Sequence, residues 1–283
     1  MSWVGLGTSA AYDGVLCPAK VAVTDYPRLL EYGFRQGITW WDASPTYGTH
    51  GAIRCALRRV PRREVVLCSK TVAVSGRGAR ADVERALRQM GVEEIDIFLL
   101  QTMRSGLEFR IRRGAWQALQ DLKREGRIRA IGVAAHGLGV LQAALHEPAL
   151  DVVLGRINYA GDLMDRWQED LPSLLAGLPP VKRLLLDLLP RSLFARLAGR
   201  VHHLRASPQE QAMARELFAR LAAAGKEVLG MKIFGEGALA GDVPRAVAYA
   251  AGLPWLRAIL VGACSEAEID AVVAAASQAQ GGR

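Results

Sequence analysis

Eight short apolar runs, each trailed by a longer amphipathic stretch, restrict this chain to an architecture in which strands and helices alternate. The runs are Trp3–Gly7, Ile38–Asp42, Val65–Ser69, Ile95–Leu100, Ala130–Ala134, Val152–Arg156, Val228–Lys232 and Ala258–Gly262. They are short, β-compatible and almost free of internal charge, as strands buried on both faces must be. Helical patterns lie between them at Tyr26–Gln36, His50–Val60, Ala79–Met90, Gly114–Glu125, Leu138–Leu145, Pro208–Ala224, Val243–Ala251 and Ser265–Gln278. Gly37, Gly91, Gly126 and Gly225 follow or close helical stretches, where a residue tolerant of left-handed backbone belongs. Eight β/α units predict a (β/α)8 barrel in one domain of 283 residues. The opening GLGTSA is not a dinucleotide fingerprint, because it lacks the third glycine and no acidic residue closes a second strand in the right place.

One connection breaks the rhythm. About seventy residues separate the sixth and seventh strands, roughly twice what a crossover needs. The insert, residues 160–207, contains LPPVKRLLLDLLPRSLFARLAGRVHHL, a basic amphipathic stretch interrupted by proline. It reads as extra helices packed on the barrel or as a lid over its mouth.

Composition removes several function classes. The net charge of +8 could attract an anionic polymer, but only six of the 36 basic residues are lysine. The arginines are scattered through helical patterns without interleaved aromatics, so nucleic acid is not an expected partner. No run of 18 apolar residues exists, which predicts no membrane span. Cys17, Cys55, Cys68 and Cys264 form no CxxC pair, and no histidine falls at ligand spacing from them, so no metal site is expected. With no signal-peptide pattern at the start, they read as reduced thiols of a cytoplasmic protein.

Chemistry in such a barrel belongs at the C-terminal ends of the strands. There the second strand ends in Asp42 and is followed by Tyr47 in WWDASPTYG, the third ends in Lys70 in VVLCSK, and the fourth ends in Gln101 in IDIFLLQ. His136 follows the fifth. Taken singly, a tyrosine at a turn packs and a lysine at a strand end snorkels. Together they make chemical sense. A phenol is a poor proton donor at neutral pH unless a cation stabilises its phenolate. Lys70 is placed to be that cation, Asp42 to hold it charged, and Tyr47 to act as a general acid. Trp40 and Trp41 are adjacent, so one faces into the barrel and the other toward the helices. The substrate pocket is expected to draw on Tyr12, on Trp41 or its neighbours, and on the long segment after Asn158.

WWDASPTYG, the lysine of VVLCSK, IDIFLLQ, MKIFGEGAL and ILVGACSEAEID resemble the aldo-keto reductase superfamily, over a stretch from Val4 to about Ala275. The resemblance implies a barrel that binds a nicotinamide cofactor, NADP or NAD, in an extended pose and passes hydride to a small-molecule carbonyl substrate. It implies a catalytic set of Asp42, Tyr47 and Lys70, with Gln101 where the family carries histidine. A glutamine amide donates a hydrogen bond but does not titrate. Cofactor contacts are implied at Gly7, Thr8, Asp42, Arg156, Lys232, Phe234, Gly235, Gly237, Gly262, Ala263 and Ser265. Lys232 and the glycines of MKIFGEGAL read as a pyrophosphate loop, and Gly262, Ala263 and Ser265 as backbone donors to an adenosine phosphate. The chain departs from the family at Ala134 and Ala135, where relatives hold the carboxamide with Ser-Asn, and at Gly262 and Glu268, where relatives place cations for the 2′-phosphate. Alternative readings are a nucleotide-binding regulatory protein with weak turnover, or an elimination or isomerisation enzyme reusing the Tyr/Lys pair.

Overall fold

A computed structural model describes residues 1–11, 20–161 and 207–281. Eight parallel strands close into a barrel in chain order. They are β1 (Val4–Gly7), β2 (Trp40–Asp42), β3 (Val66–Thr71), β4 (Ile95–Met103), β5 (Ile128–Ala135), β6 (Val152–Arg156), β7 (Glu227–Met231) and β8 (Ala258–Gly262). The seam closes through β1 and β8, with Val4 opposite Ile259 and Gly7 opposite Gly262. The (β/α)8 barrel expected from the alternation is therefore the fold. The 160–207 insert falls almost wholly outside the described residues, as does Tyr12.

Helices wrap the outside: α1 (Tyr26–Arg35), α2 (His50–Ala56), α3 (Gly76–Met90), α4 (Leu107–Ile111), α5 (Arg113–Arg124), α6 (Leu138–Ala144), α7 (Pro208–Ala223), α8 (Val243–Ala251) and α9 (Glu266–Gly281). Their starts follow local chemistry. Ser75 Oγ accepts from Gly78 N–H, Asp242 accepts from Arg245 N–H, and Ser207 with Glu210 forms a reciprocal capping box ahead of Pro208. Gly37, Gly91, Gly126 and Gly225 all have φ between +72° and +87°, the left-handed conformation expected at helix ends.

Side-chain parity divides two cores. Trp40, Cys68, Ile97, Leu99, Ala134, Val152, Leu154, Leu229, Met231 and Ala258 form a cluster drawn from strands alone, the barrel interior. Trp41 belongs to the larger cluster between strands and helices. The two tryptophans thus face opposite ways, and Trp41, fully buried behind the sheet, does not line a substrate pocket. Trp40 fills the bottom of the barrel because β1 carries glycine beside it: a Cβ on Gly5 would lie 2.3 Å from the indole.

Candidate active site at the C-terminal mouth of the barrel

Counting by twos from the interior residues Trp40, Cys68, Leu99 and Leu154 puts Asp42, Lys70, Gln101 and Arg156 on the inner face at the strand ends. Lys70 and Asp42 are 3% and 2% exposed. Lys70 Nζ lies 2.5 Å from both carboxylate oxygens of Asp42 and donates to the Ala43 carbonyl at 3.1 Å. Burial by itself would lower the Lys70 pKa. The Asp42 carboxylate, with a further contribution from Tyr47, outweighs it and holds the ammonium above the ordinary lysine range. Tyr47 closes a 3-10 turn, Pro45–Tyr47, whose entry is capped by Ser44. Its half-buried ring stands over the pair, with Lys70 Nζ 5.4 Å from the ring centroid. Asp42, Tyr47 and Lys70 therefore meet, as the spacing predicts.

Gln101 is held beside them in a closed hydrogen-bond circuit with Ser44 and Thr46, on the turn between Asp42 and Tyr47. Ser44 Oγ donates to Gln101 Oε1 at 2.5 Å, Gln101 Nε2 donates to Thr46 Oγ1 at 3.2 Å, and the two hydroxyls are 2.9 Å apart. The circuit orients the amide, and Ser44 and Thr46 are residues that sequence reading passed over. Ser-Pro signals a capped turn, but nothing local announces a partner 57 positions away. Gln101 lies on the fourth strand but is not its last residue, which the sequence pattern predicts it to be. The strand runs on to Met103 through a register shift, with Thr102 in the left-handed region at φ 54°. Buried Arg112 pins this irregular end. Its guanidinium donates to the carbonyls of Gln101 (2.9 Å), Thr71 (2.7 Å) and Ala73 (3.0 Å), tying β4 to β3. His136, half-buried after β5, donates its backbone N–H to Met103 O.

A second polar cluster lies across the mouth, at the ends of β6 and β7. Arg156 is buried, and its Nη2 lies 3.3 Å from Glu236 Oε1; Lys232 Nζ is 2.9 Å from the same oxygen. Lys232 is not the last residue of β7, which ends at Met231. It sits at φ 61° and starts a turn through Phe234, Gly235, Glu236 and Gly237 in which Glu236 is also left-handed, at φ 59°. Phe234 packs back on the outer core.

The remaining expected cofactor residues are more committed to the protein than the sequence implies. Thr8 is fully buried, donating to Asp42 O at 3.0 Å with its hydroxyl 2.6 Å from Thr49 Oγ1. Tyr26 Oη reaches the carbonyls of Gly7 (3.1 Å) and Ala263 (3.2 Å), locking β1 to β8. Gly262 is exposed beside them. At the start of α9, Ser265 Oγ caps Glu268 N–H, and the Glu268 carboxylate accepts from Cys264 N–H at 2.7 Å. A carboxylate thus occupies the helix entrance expected to offer N–H groups to a phosphate, because an acidic residue in the first turn satisfies the same orphan donors. Among the described residues, no group of histidines, cysteines and carboxylates is arranged to hold a metal, and no helix is long and apolar enough to cross a membrane.

Comparison with known proteins converges on one family. The sequence profile of the Aldo/keto reductase family matches residues 4–170, more than half of the chain. L-galactose dehydrogenase of Arabidopsis thaliana is 27% identical over 173 residues, 56% of this chain and 53% of that protein. The uncharacterized oxidoreductase YtbE of Bacillus subtilis is 22% identical over 169 residues, 56% of this chain and 55% of that protein. The chain therefore aligns with about half the length of these curated relatives. Among solved structures, the holo form of an aldo-keto reductase from Bacillus halodurans superposes with a TM-score of 0.64 at 15% identity, covering 97% of this chain and 86% of that one. An aldo-keto reductase from Klebsiella pneumoniae in complex with NADPH gives 0.63 at 16% identity, covering 98% and 86%. With its profile match, its closed barrel and the Asp-Tyr-Lys cluster at the mouth, the chain belongs to the aldo/keto reductase family.

Proposed function

We propose that the protein is an NAD(P)H-dependent oxidoreductase that reduces a carbonyl of a small or medium organic substrate, with Tyr47 as proton donor. The observation that carries this reading is the buried Lys70–Asp42 pair set beneath the Tyr47 ring. When bound, the reduced nicotinamide supplies the hydride. The chain's own residues handle the oxygen. Tyr47 gives its phenolic proton to the carbonyl oxygen, the Lys70 ammonium stabilises the phenolate left behind, and Asp42 keeps Lys70 charged and aimed. Gln101, with its amide held by Ser44 and Thr46, offers its other N–H to the same oxygen.

The polar groups of the mouth fit a dinucleotide at one end. Arg156 and Lys232 are the cations for its phosphates, with Gly235 and Gly237 allowing close backbone approach. The other end fits an extra 2′-phosphate poorly, since Glu268 puts a negative charge where a cation would serve. NADH is therefore expected to bind at least as tightly as NADPH. The test is a pair of fluorescence titrations with the two dinucleotides, followed by an aldehyde and ketone panel scored for one-to-one consumption of reduced cofactor. Failure of both dinucleotides to bind below about millimolar, some ~4 kcal/mol of affinity, would sink the proposal.

The non-titrating Gln101 supports a second reading, a nucleotide-binding regulatory protein with slow turnover, since a neutral amide polarises a carbonyl less than a protonated imidazole does. Dinucleotide binding without turnover on any carbonyl, together with a phenotype that survives Tyr47→Phe, would favour it.

A further inference from the structure

Glu236 is the one acidic group described in the cluster at the ends of β6 and β7, and it faces the two cations that the proposed function assigns to the cofactor phosphates. One oxygen, Oε1, is shared between Arg156 Nη2 at 3.3 Å and Lys232 Nζ at 2.9 Å. A carboxylate oxygen held by a guanidinium and an ammonium imitates the way a phosphate oxygen would be held there. The backbone is bent to deliver it. Lys232 and Glu236, both bearing side chains, lie in the left-handed region at φ 61° and 59°, four positions apart in one turn. Non-glycine residues hold such angles only where surrounding contacts over-determine them. The Arg156 end is buried while the Lys232 and Glu236 side chains are about one-third exposed, so the carboxylate is the partner with room to leave.

Resting on the dinucleotide reading above, we infer that Glu236 is an internal stand-in for the cofactor's phosphate oxygen, a carboxylate that closes the cationic site in the free protein and must be displaced by the entering dinucleotide. The device lowers apparent affinity by the fraction of molecules in which Glu236 has swung away, because the ligand binds only those. It also contributes to compensating the buried Arg156 charge when no ligand is present.

Two variants test this. Glu236→Gln keeps the shape and removes the charge. Glu236→Gly removes the side chain and suits the left-handed backbone, so it serves even if the glutamine variant folds poorly. Glu216→Gln, on the exposed face of α7, controls for the change in net charge. The dissociation constants of NADH and NADPH are measured by tryptophan quenching for each protein. Both Glu236 variants are expected to bind the preferred dinucleotide about five- to tenfold more tightly than the parent, the scale of releasing one partly exposed ion-paired competitor, with Glu216→Gln unchanged. Unchanged or weaker binding in the two Glu236 variants overturns the inference and leaves the oxidoreductase reading standing, since the carboxylate would then be a support for Arg156 and Lys232. Absence of binding in every protein overturns both.

Discussion

Tyr47 illustrates how far a single residue's role depends on neighbours remote in sequence. Its phenol gains chemical use from Lys70, whose Nζ lies 5.4 Å from the ring centroid, and Lys70 owes its charge in a dry site to Asp42. Tyr47→Phe is expected to lower turnover by about 10²- to 10⁴-fold while leaving dinucleotide affinity nearly unchanged, a split read from steady-state kinetics beside fluorescence titration. Asp42→Asn should cost more than activity. Removing one partner of a buried ion pair leaves the other uncompensated, and about 3–5 kcal/mol of stability should be lost in urea unfolding. The Lys70 pKa is raised by folding, so the folded state holds this proton more tightly than the unfolded chain. The corresponding stability is complete below the ordinary lysine value of 10.5 and is lost as pH rises through the folded value. Alkaline urea titrations should show that slope in the parent and lack it in Asp42→Asn. Asp42, Tyr47, Lys70 and Gln101 could all be picked out from strand-end position, because the parity of a strand and the polarity of a barrel are local rules. Ser44, Thr46, Arg112 and Glu236 could not, since each earns its place through a partner on another strand or loop.

At the level of elements, the predicted strands and helices fall where hydrophobic period places them with differences at their ends, and the short helix α4 (Leu107–Ile111) is an addition that the pattern does not predict. The fourth strand outruns its apolar pattern by three residues, Gln101 to Met103, because Arg112 gathers carbonyls that would otherwise end the ladder. Tight packing between β1 and β2 is equally specific: Gly5→Ala would drive a Cβ into the Trp40 ring and should cost about 1–3 kcal/mol, measurable as a lowered urea midpoint at constant m. His50 links three elements, with Nε2 2.9 Å from Ser69 Oγ on β3 and Nδ1 2.9 Å from Gln89 Oε1 on α3. Burial lowers its pKa, outweighing the Gln89 hydrogen bond that raises it, with Lys70 adding to the lowering. As pH falls below the ordinary histidine value of 6.5, the unfolded chain takes up this proton before the folded one does, so stability should decline toward the folded value. Thermal melts between pH 7 and 5 should show that decline, and His50→Gln should flatten it.

The whole molecule is a closed parallel sheet, and closure is what turns eight local β/α units into a site. If the dinucleotide binds the folded barrel alone, a free concentration of a hundred times its Kd should add ~2.7 kcal/mol of stability, seen as a rise in Tm that follows the logarithm of concentration. A Tm indifferent to both NADH and NADPH would contradict the proposed cofactor. The architecture was legible in the chain before folding, because the spacing of apolar runs, caps and glycines acts within a dozen residues and points everywhere to the same alternation. So was the meeting of Asp42, Tyr47 and Lys70 at one mouth, since parallel strands all deliver their C-terminal ends to the same face. Folding in three dimensions was needed to show that Gln101 is locked by Ser44 and Thr46, that Glu268 covers the helix entrance, and that Glu236 bridges Arg156 and Lys232. Those contacts depend on backbone turns such as the left-handed angles at Thr102, Lys232 and Glu236, which no propensity of threonine, lysine or glutamate foretells and which persist only where surrounding contacts hold them.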